Sequence, residues 1–223
     1  MDTAFYTTQL IPALNRGLVI SIKLIIPSGL IGLMLGIVIG TLRTFGHAAV
    51  RKAANAYAAV FRGTPLVVQL FLLYFGLPNI GIYLDAYTAA VIGFILCSGA
   101  YHSEYIRGSL LSIKKGQFLA AQSMGFSTLK TMCNIIVPQA VRRALPGCGN
   151  EIIYLIKYSS LAYIITCIEL TGEGKIIATR TFRFTEVFLV IGFYYLVLVT
   201  IASIVLQMLE KKLKIPGFGH ERQ

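Results

Sequence analysis

A carboxylate within an apolar stretch is the first candidate for chemistry in this sequence. Cys97, Tyr101, Glu104 and Gly108 follow one another at steps of three or four residues, which places them on one face of a helix. Ionisable groups inside apolar helices are rare, and they face a cavity or a protein partner. We expect this face to line a pathway in which Glu104 attracts an ammonium or guanidinium group.

Two arginines offer a second role for the same carboxylate. Arg62 precedes an apolar stretch, and Arg107 lies one helical turn after Glu104. An ion pair between Glu104 and either arginine would close a cytoplasmic gate or fix the packing of the helices. The sequence leaves the substrate contact and the gate open as alternatives.

A run of polar residues interrupts another apolar stretch. The run consists of Lys157, Tyr158, Ser159 and Ser160, and adjacent serine hydroxyls compete for backbone hydrogen bonds within a helix. Backbone donors freed at such a break would suit a substrate α-carboxylate. The alternative is ordinary packing of helices through serine. Lys157, Ser159 and Ser160 are therefore assigned to the pathway, with packing left open.

A second break is predicted at Gly63-Thr64-Pro65. Proline removes a backbone donor, so the helix that contains it should bend there. Thr64 and Gln69 lie beside this bend and are also assigned to the pathway. Helix packing is again the alternative for both side chains.

Signatures of hydrolysis and metal binding are missing from the sequence. It contains no G-x-x-x-x-G-K-[ST], H-E-x-x-H or G-x-S-x-G segment. Its four cysteines are widely spaced, with no C-x-x-C. We therefore expect no catalytic residue, no metal site and no cofactor bound by this chain.

The composition indicates that a membrane surrounds these residues. Of the 223 residues, 56% are hydrophobic and 13% are charged, whereas soluble domains carry about 25% charged residues. Five apolar stretches approach the roughly 20 residues that a membrane-spanning helix needs: 24–42, 63–84, 86–103, 145–168 and 187–209. We predict an all-α polytopic membrane protein with about five transmembrane helices in a single domain, residues 1–223. The second helix should start near Ala53, with Arg62 inside it, and the third should reach about Leu111.

Glycines recur along the first apolar stretch. Gly29, Gly32, Gly36 and Gly40 follow steps of three and four residues, which predicts close packing of another helix. The partner helix belongs either to the same subunit or to a neighbouring subunit.

The distribution of lysine and arginine predicts the orientation, because cytoplasmic segments are enriched in these residues. The formal net charge of +11 follows from basic residues between apolar stretches, so no nucleic-acid partner is expected. The side expected to be cytoplasmic holds Arg43, Arg51, Lys52, Arg107, Lys114, Lys115, Lys130, Arg142, Arg143, Lys211, Lys212, Lys214 and Arg222. The other side holds Arg16, Lys175, Arg180 and Arg183, diluted by Glu169, Glu173 and Glu186. The N-terminus is therefore predicted outside and the C-terminus in the cytoplasm.

The cytoplasmic insert at about 112–143 is not a simple polar linker. Its partial helical periodicity and the glycine at position 125 predict a short helix that ends near Gly125. The small residues Ala120 and Ala121 permit close approach by another surface. This helix either docks a cytoplasmic partner or lies on the lipid surface.

The insert resembles the "EAA" loop of bacterial ABC importer permeases. That loop has E-A-A, three residues, G, nine residues and I-x-L-P, and this chain has LAAQSMG (residues 119–125) followed by IIVP (residues 135–138). Leu119 stands where the family usually has Glu, and Val137 where it has Leu. The resemblance implies that the ATPase-coupling residues are Gln117, Leu119, Ala120, Ala121, Gly125 and Phe126.

Further segments resemble the permeases for polar amino acids, in particular those for histidine and arginine uptake. They are FRGTPLVVQL (61–70), AYHSEYIRG (100–108), PQAVRRALP (138–146), NE (150–151) and KYSSLA (157–162). The resemblance implies a type I ABC importer permease in the bacterial inner membrane, with a lipid-embedded surface. The partners that it implies are an identical or homologous permease subunit, two cytoplasmic ATPases that use ATP and Mg, and a periplasmic or lipid-anchored amino-acid-binding protein.

The resemblance and Glu104 together favour basic amino acids as substrates, namely arginine, histidine, lysine or ornithine. Glutamine or glutamate transport by the same architecture is the alternative. An ion-coupled secondary transporter is a rival class, but it should show repeats in two halves, which five helices without self-similarity do not provide. A non-transporting assembly protein would need neither the coupling loop nor the acid at position 104.

Overall fold

The computed structural model describes residues 3–213, and within this range the chain is helical and contains no strand. Nine α-helices follow in order: α1 (Ile11–Phe45), α2 (Ala48–Gly63), α3 (Leu66–Phe71), α4 (Ala86–Leu111), α5 (Lys115–Ser123), α6 (Thr128–Thr131), α7 (Val137–Tyr158), α8 (Leu170–Thr181) and α9 (Phe184–Leu213). Shorter π-helical and 3₁₀ turns extend several of them, notably Phe5–Leu10 before α1 and Ser159–Ile165 after α7. The prediction of an all-helical polytopic protein is confirmed.

Two helices are long and apolar enough to cross a membrane by themselves: Phe5–Phe45 and α9. Two bent pairs make four spans if each pair counts as one: Ala48–Gly63 with Leu66–Ile80, and Thr128–Ile165 with Leu170–Thr181. The predicted total of five requires α4 as well, whose 26 residues correspond to about 39 Å of helix. Its end at Leu111 agrees with the predicted boundary.

Several predicted boundaries were wrong. The first helix is longer than the apolar stretch 24–42: α1 begins at Ile11 and includes Arg16 and Lys23, and the side chain of Arg16 is exposed. The second stretch is not one helix from Ala53 onward. It breaks after Gly63, and the following segment, Leu66–Ile80, is bent by 104° from the direction of α2. The bend that Pro65 predicted is confirmed, and it places Arg62 at a helix end.

Most of the glycine stripe of α1 packs against α4 of the same subunit, while Gly29 faces α7. Gly29, Gly32, Gly36 and Gly40 are buried. A Cβ at Gly40 would lie 2.9 Å from the carbonyl oxygen of Ser103, and a Cβ at Gly36 would overlap His102. The stripe thus brings the backbones of α1 and α4 together at the level of the predicted pathway face. Of the two alternatives left by the sequence, the structure has the contact within the subunit.

A buried carboxylate joins α1, α8 and α9. Glu169 caps α8, where its carboxylate accepts hydrogen bonds from the amides of Gly172 at 2.9 Å and Thr171 at 3.0 Å. The same carboxylate accepts from the Tyr195 hydroxyl at 3.0 Å and from the Ser21 hydroxyl at 3.3 Å. Capping and cross-helix hydrogen bonds together satisfy this acid without a basic partner among residues 3–213.

We expect Gly36→Ala to destabilise the subunit, because the added methyl group has no space between α1 and α4. Overpacking of this kind costs about 1–3 kcal/mol. The measurement is the thermal midpoint of the purified protein in detergent. Gly192→Ala is the matched control, since a Cβ at this α9 position meets no atom within 4 Å. Equal midpoints for the two variants would contradict the packing of α1 on α4.

Candidate functional site

Glu104 is engaged by three arginines that come from three helices. Its Oε2 accepts a hydrogen bond from Nη2 of Arg43 at 2.9 Å and another from Nη1 of Arg62. Its Oε1 accepts from Nη2 of Arg107 at 2.5 Å and from Nε at 3.1 Å. Both oxygens are therefore engaged, and the cluster of Arg43, Arg62, Arg107 and Glu104 carries a net charge of about +2, since arginine stays protonated. We call this group the arginine cluster.

Arg43 is the most buried member of the arginine cluster. Its side chain is 8% exposed, against 36% for Arg62 and 35% for Arg107. It also donates to Oδ1 of Asn55 at 2.9 Å and to Oγ of Ser103 at 3.0 Å. Arg43 thus ties the end of α1 to α2 and α4, a role that its assignment to a loop did not foresee.

The two other α4 side chains assigned to the pathway, Tyr101 and Cys97, are partly or fully covered by neighbouring groups. The guanidinium of Arg62 lies 5.6 Å from the centre of the Tyr101 ring, within the range of a cation–π contact. Cys97 is buried, and its Sγ lies 3.9 Å from the carbonyl oxygen of Phe61. Tyr101 and Cys97 therefore face the end of α2, where Arg62 approaches Glu104. The substrate role predicted for this face stays a prediction.

Gln69 and Thr64 stabilise the break between α2 and α3. Nε2 of Gln69 donates to the carbonyl oxygens of Phe61 at 2.9 Å and Thr64 at 3.0 Å. The carbonyl of Phe61 lacks a helical partner because Pro65 has no N–H, and the carbonyl of Thr64 lacks one because Thr64 is extended and the amide of Val68 bonds Pro65. Gln69 is 5% exposed, and its side chain replaces the missing backbone donors. For Gln69, these hydrogen bonds support helix packing, the alternative that the sequence left open.

The predicted interruption after Tyr158 is present in the structure. α7 ends there and continues as the 3₁₀ turn Ser159–Ile165. Oγ of Ser159 donates to the carbonyl of Ile156 at 2.8 Å, and Oγ of Ser160 donates to the carbonyl of Lys157 at 2.8 Å. Both serines therefore bond back to their own helix. Lys157 turns its ammonium group onto the Tyr154 ring, 4.4 Å from the centre.

The predicted coupling residues lie on and just after α5. Ala121 is buried, whereas Ala120 is exposed, Leu119 is 61% exposed and Gln117 is half-buried. Gly125 ends this segment with φ +84°, and the amide of Phe126 donates to the carbonyl of Ala121 at 3.1 Å. The predicted helix end at Gly125 is confirmed, since this left-handed conformation favours glycine.

One cavity opens far from these groups. It has a volume of about 470 Å³ and is lined by Lys23, Asp85, Tyr87 and Thr166, among others. Asp85 precedes α4, so the cavity lies about 28 Å along that helix from Glu104. None of the predicted pathway residues lines it.

Sequence reasoning missed two ionisable residues at this site. Arg43 was counted only as a cytoplasmic loop charge. Glu151 was noticed as an interruption of an apolar stretch but was given no role, although it is 4% exposed in the middle of α7. The signal was available for Glu151, because a charge inside an apolar span is a functional candidate by default.

Comparisons with known proteins identify the family. A family model described as "Binding-protein-dependent transport system inner membrane component" matches residues 32–215. The glutamine transport system permease protein GlnP of Escherichia coli (strain K12) is 39% identical over 186 residues, covering 82% of this chain and 85% of its own. The arginine transport system permease protein ArtQ of Bacillus subtilis (strain 168) is 37% identical over 209 residues, covering 93% and 95%.

A solved structure, the crystal structure of an amino acid ABC transporter with histidines, has the same fold. It superposes with a TM-score of 0.82 at 34% identity, covering 90% of this chain and 94% of that one. The matched residues 32–215 include α5, the arginine cluster and Glu151. The chain belongs to the family of binding-protein-dependent transport system inner membrane components, as an amino-acid ABC importer permease that is not itself an ATPase.

Proposed function

We propose that this permease moves amino acids with a basic side chain, namely arginine, histidine, lysine or ornithine, across the bacterial inner membrane by alternating access. Two cytoplasmic ATPases that bind ATP and Mg dock on α5 and supply the energy. An extracytoplasmic binding protein, periplasmic or lipid-anchored, delivers the amino acid, and a second identical or homologous permease subunit completes the pathway. Closure of the ATPases would shift the population between outward-open and inward-open states.

The one-sided packing of α5 is the observation that carries this proposal. On its inner side, Phe118 packs against buried residues of α4 and α7, while Ala121 is 2% exposed. On its outer side, Leu119 is 61% exposed and Met124 is 70% exposed. An exposed apolar surface of this kind suits a protein partner. Force applied there would reach the core cluster that α4 and α7 share, since Phe118 packs against this cluster.

Glutamine or glutamate is the second candidate substrate, and two observations favour it. The relative GlnP is named for glutamine, while ArtQ is named for arginine. Both oxygens of Glu104 are already engaged by arginines, so this carboxylate is poorly placed to attract a cationic side chain.

The direct test is ATPase activity of a reconstituted complex in proteoliposomes. We expect activity only when this chain, a cytoplasmic ATPase and a loaded binding protein are present together. Arginine, histidine, lysine, ornithine, glutamine and glutamate are compared as labelled substrates for uptake. Uptake confined to glutamine or glutamate would replace the first candidate with the second.

A first prediction concerns the coupling segment. Gly125→Ala should reduce uptake and ATPase docking, because a side chain at φ +84° is strained while space is not limiting. Gly116→Ala is the matched control, since a Cβ there also meets no atom within 4 Å and this residue lies inside α5. Both variants are measured at equal membrane abundance. Normal uptake by Gly125→Ala would contradict the coupling role of this turn.

A second prediction concerns orientation. A single cysteine at position 129, where Leu129 is 71% exposed, should react only with reagents that reach the cytoplasm. A cysteine at position 83, where Tyr83 is 79% exposed, should react with an impermeant reagent added outside. Both are introduced after replacement of the four native cysteines. Labelling of position 129 from outside intact cells would contradict the predicted orientation.

Lys214 and Arg222, which contributed to the charge argument, lie outside the described residues.

A third prediction separates the two roles of Glu104. Glu104→Gln leaves three arginines without their common acid, so uptake of arginine and glutamine should fall alike by about ten-fold, or about 1.4 kcal/mol. Replacing Arg62 with Gln in the same chain should restore part of the activity. Arg16→Gln is the matched control, since Arg16 pairs with Glu173 on another part of the fold. A loss confined to arginine, without rescue, would instead support direct contact between Glu104 and the substrate.

A further inference from the structure

Charged side chains indicate where the membrane surface crosses α1 and α4. Lys23 and Arg43 enclose the uncharged residues 24–42, and the 20 residues between them correspond to about 30 Å of helix, which equals the hydrocarbon thickness of a bilayer. Asp85 precedes Glu104 by 19 residues, or about 28 Å along α4. Because Arg43 contacts Glu104 at the other end, Lys23 and Asp85 share one level, that of the lipid headgroups on the side opposite the arginine cluster.

The cavity of about 470 Å³ opens at this level. Its wall comes from three separate parts of the chain: α1 at Lys23, the start of α4 at Asp85 and Tyr87, and the turn at Thr166 that follows the break in α7. The Tyr87 hydroxyl donates to the carbonyl oxygen of Lys23 at 2.9 Å, which joins α4 to α1 beside the cavity. A cavity of this volume accommodates a small polar ligand.

Two opposite charges line the cavity without neutralising each other. Lys23 and Asp85 are both exposed and form no ion pair with each other in the part of the chain that the structure describes. The Asp85 carboxylate caps α4 by accepting from the amide of Thr88 at 3.0 Å and from its hydroxyl at 2.5 Å. Each carboxylate oxygen has two lone pairs, so Asp85 keeps capacity for another donor. A zwitterion with anionic oxygens and an ammonium group matches this pair.

The backbone of the cavity wall is strained at Thr166. This residue has φ +67°, a left-handed conformation that is a genuine outlier for a β-branched side chain. Its hydroxyl lies 3.2 Å from the Tyr74 hydroxyl. Strain of this kind persists where the surrounding structure imposes it, and it concentrates at sites that bind ligands. Thr166 thus places a further polar oxygen in the wall that contains Lys23 and Asp85.

An exposed apolar stripe leads from the cavity into the membrane. Ile26, Leu30 and Met34 of α1 are 55%, 58% and 66% exposed. They follow Lys23 at steps of three and four residues, so they lie on its side of the helix. Met34 lies about 16 Å below Lys23, which is half of the hydrocarbon thickness of about 30 Å. A ligand in the cavity that carries an acyl chain would therefore find an apolar surface along one whole leaflet.

We propose that this cavity binds the headgroup of a zwitterionic phospholipid with a primary ammonium group, namely phosphatidylethanolamine. Lys23 and Thr166 take the phosphate, Asp85 takes the ammonium group, and an acyl chain lies along the stripe of Ile26, Leu30 and Met34. The primary ammonium group supplies the N–H donors that the Asp85 carboxylate accepts, whereas the quaternary ammonium group of phosphatidylcholine has none. The lipid belongs to the outer leaflet in the predicted orientation. The proposal does not depend on which amino acid the permease imports.

A soluble partner is the competing occupant of the cavity. An extracytoplasmic binding protein with complementary charges would also meet Lys23 and Asp85 at the outer surface. The stripe below the cavity reaches the middle of the membrane, where such a protein has no access. The continuity of the cavity with this stripe therefore favours a lipid.

The test counts the lipids that the full chain retains. The chain is placed in nanodiscs of phosphatidylcholine that contain small, equal amounts of phosphatidylethanolamine and phosphatidylglycerol, and the lipids that stay bound after release into detergent are counted by mass spectrometry. We expect the wild type to retain phosphatidylethanolamine about ten-fold more than the anionic phosphatidylglycerol, because Asp85 repels a lipid without an ammonium group. Equal retention of the two lipids, or retention of neither, would overturn the proposal.

Two charge variants give opposite patterns. Asp85→Asn keeps a residue that caps helices well and removes the negative charge, so phosphatidylglycerol should be retained as strongly as phosphatidylethanolamine. Lys23→Gln should reduce retention of both lipids by about ten-fold, since both carry the phosphate. Lys175→Gln is the matched control and should retain lipids as the wild type does, because this exposed lysine lies on α8, 4.7 Å from the Tyr163 ring centre, and does not line the cavity. The wild-type pattern in both charge variants would refute the site.

A docking measurement separates the lipid from the soluble partner. The same variants are compared for the Kd of the loaded binding protein in the reconstituted complex, after their thermal midpoints have been matched to that of the wild type. We expect the Kd to stay within about two-fold of the wild-type value, a change of about 0.4 kcal/mol. A raised Kd with wild-type lipid retention would assign the cavity to the binding protein and overturn the lipid proposal.

Discussion

The structure depends on a constraint that lipid imposes on the backbone. Every N–H and C=O group at membrane depth must find a partner within the protein, because no water is available to replace one. The chain nevertheless breaks its helices twice, after Gly63 and after Tyr158. At the first break the amide of Gln69 bonds the carbonyls of Phe61 and Thr64, and at the second the chain continues as a 3₁₀ turn. Both breaks are thus stabilised by specific side chains and turns, and the segments around both contact α4.

Close packing of α1 on α4 brings the residues of the arginine cluster together. Because Gly36 and Gly40 allow the two backbones to approach, the end of α1 carries Arg43 to the same carboxylate that Arg62 and Arg107 reach from α2 and α4. Three helices therefore share one ion-pair cluster at the same end of the bundle. A movement of α4 relative to α1 or α2 would break hydrogen bonds to a half-buried acid, which opposes intermediate positions. This property suits a switch between two states.

Features governed by local sequence were the ones that could be predicted. The bend at Pro65, the break at Ser159 and Ser160 and the helix end at Gly125 follow from the backbone chemistry of proline, serine and glycine. The start of α1 was missed, because hydropathy excludes Arg16 and Lys23 although a long side chain such as that of Arg16 reaches solvent from a helix. Arg43 was missed for a different reason, since its burial depends on contacts with Asn55 and Ser103 of other helices. No local pattern encodes such contacts.

The three glutamates inside this fold show how partners distinguish structure from function. Glu169 is satisfied by four neutral donors and Glu104 by charged ones, so each is explained by the helices that it joins. Glu151 joins nothing in the described chain, and only the folded arrangement reveals this, because all three acids occur beside apolar residues in the sequence. Stability alone would favour replacement of such a residue by an uncharged one. The burial of Glu151 in the middle of α7 is therefore not explained by the hydrogen bonds and ion pairs of the described residues.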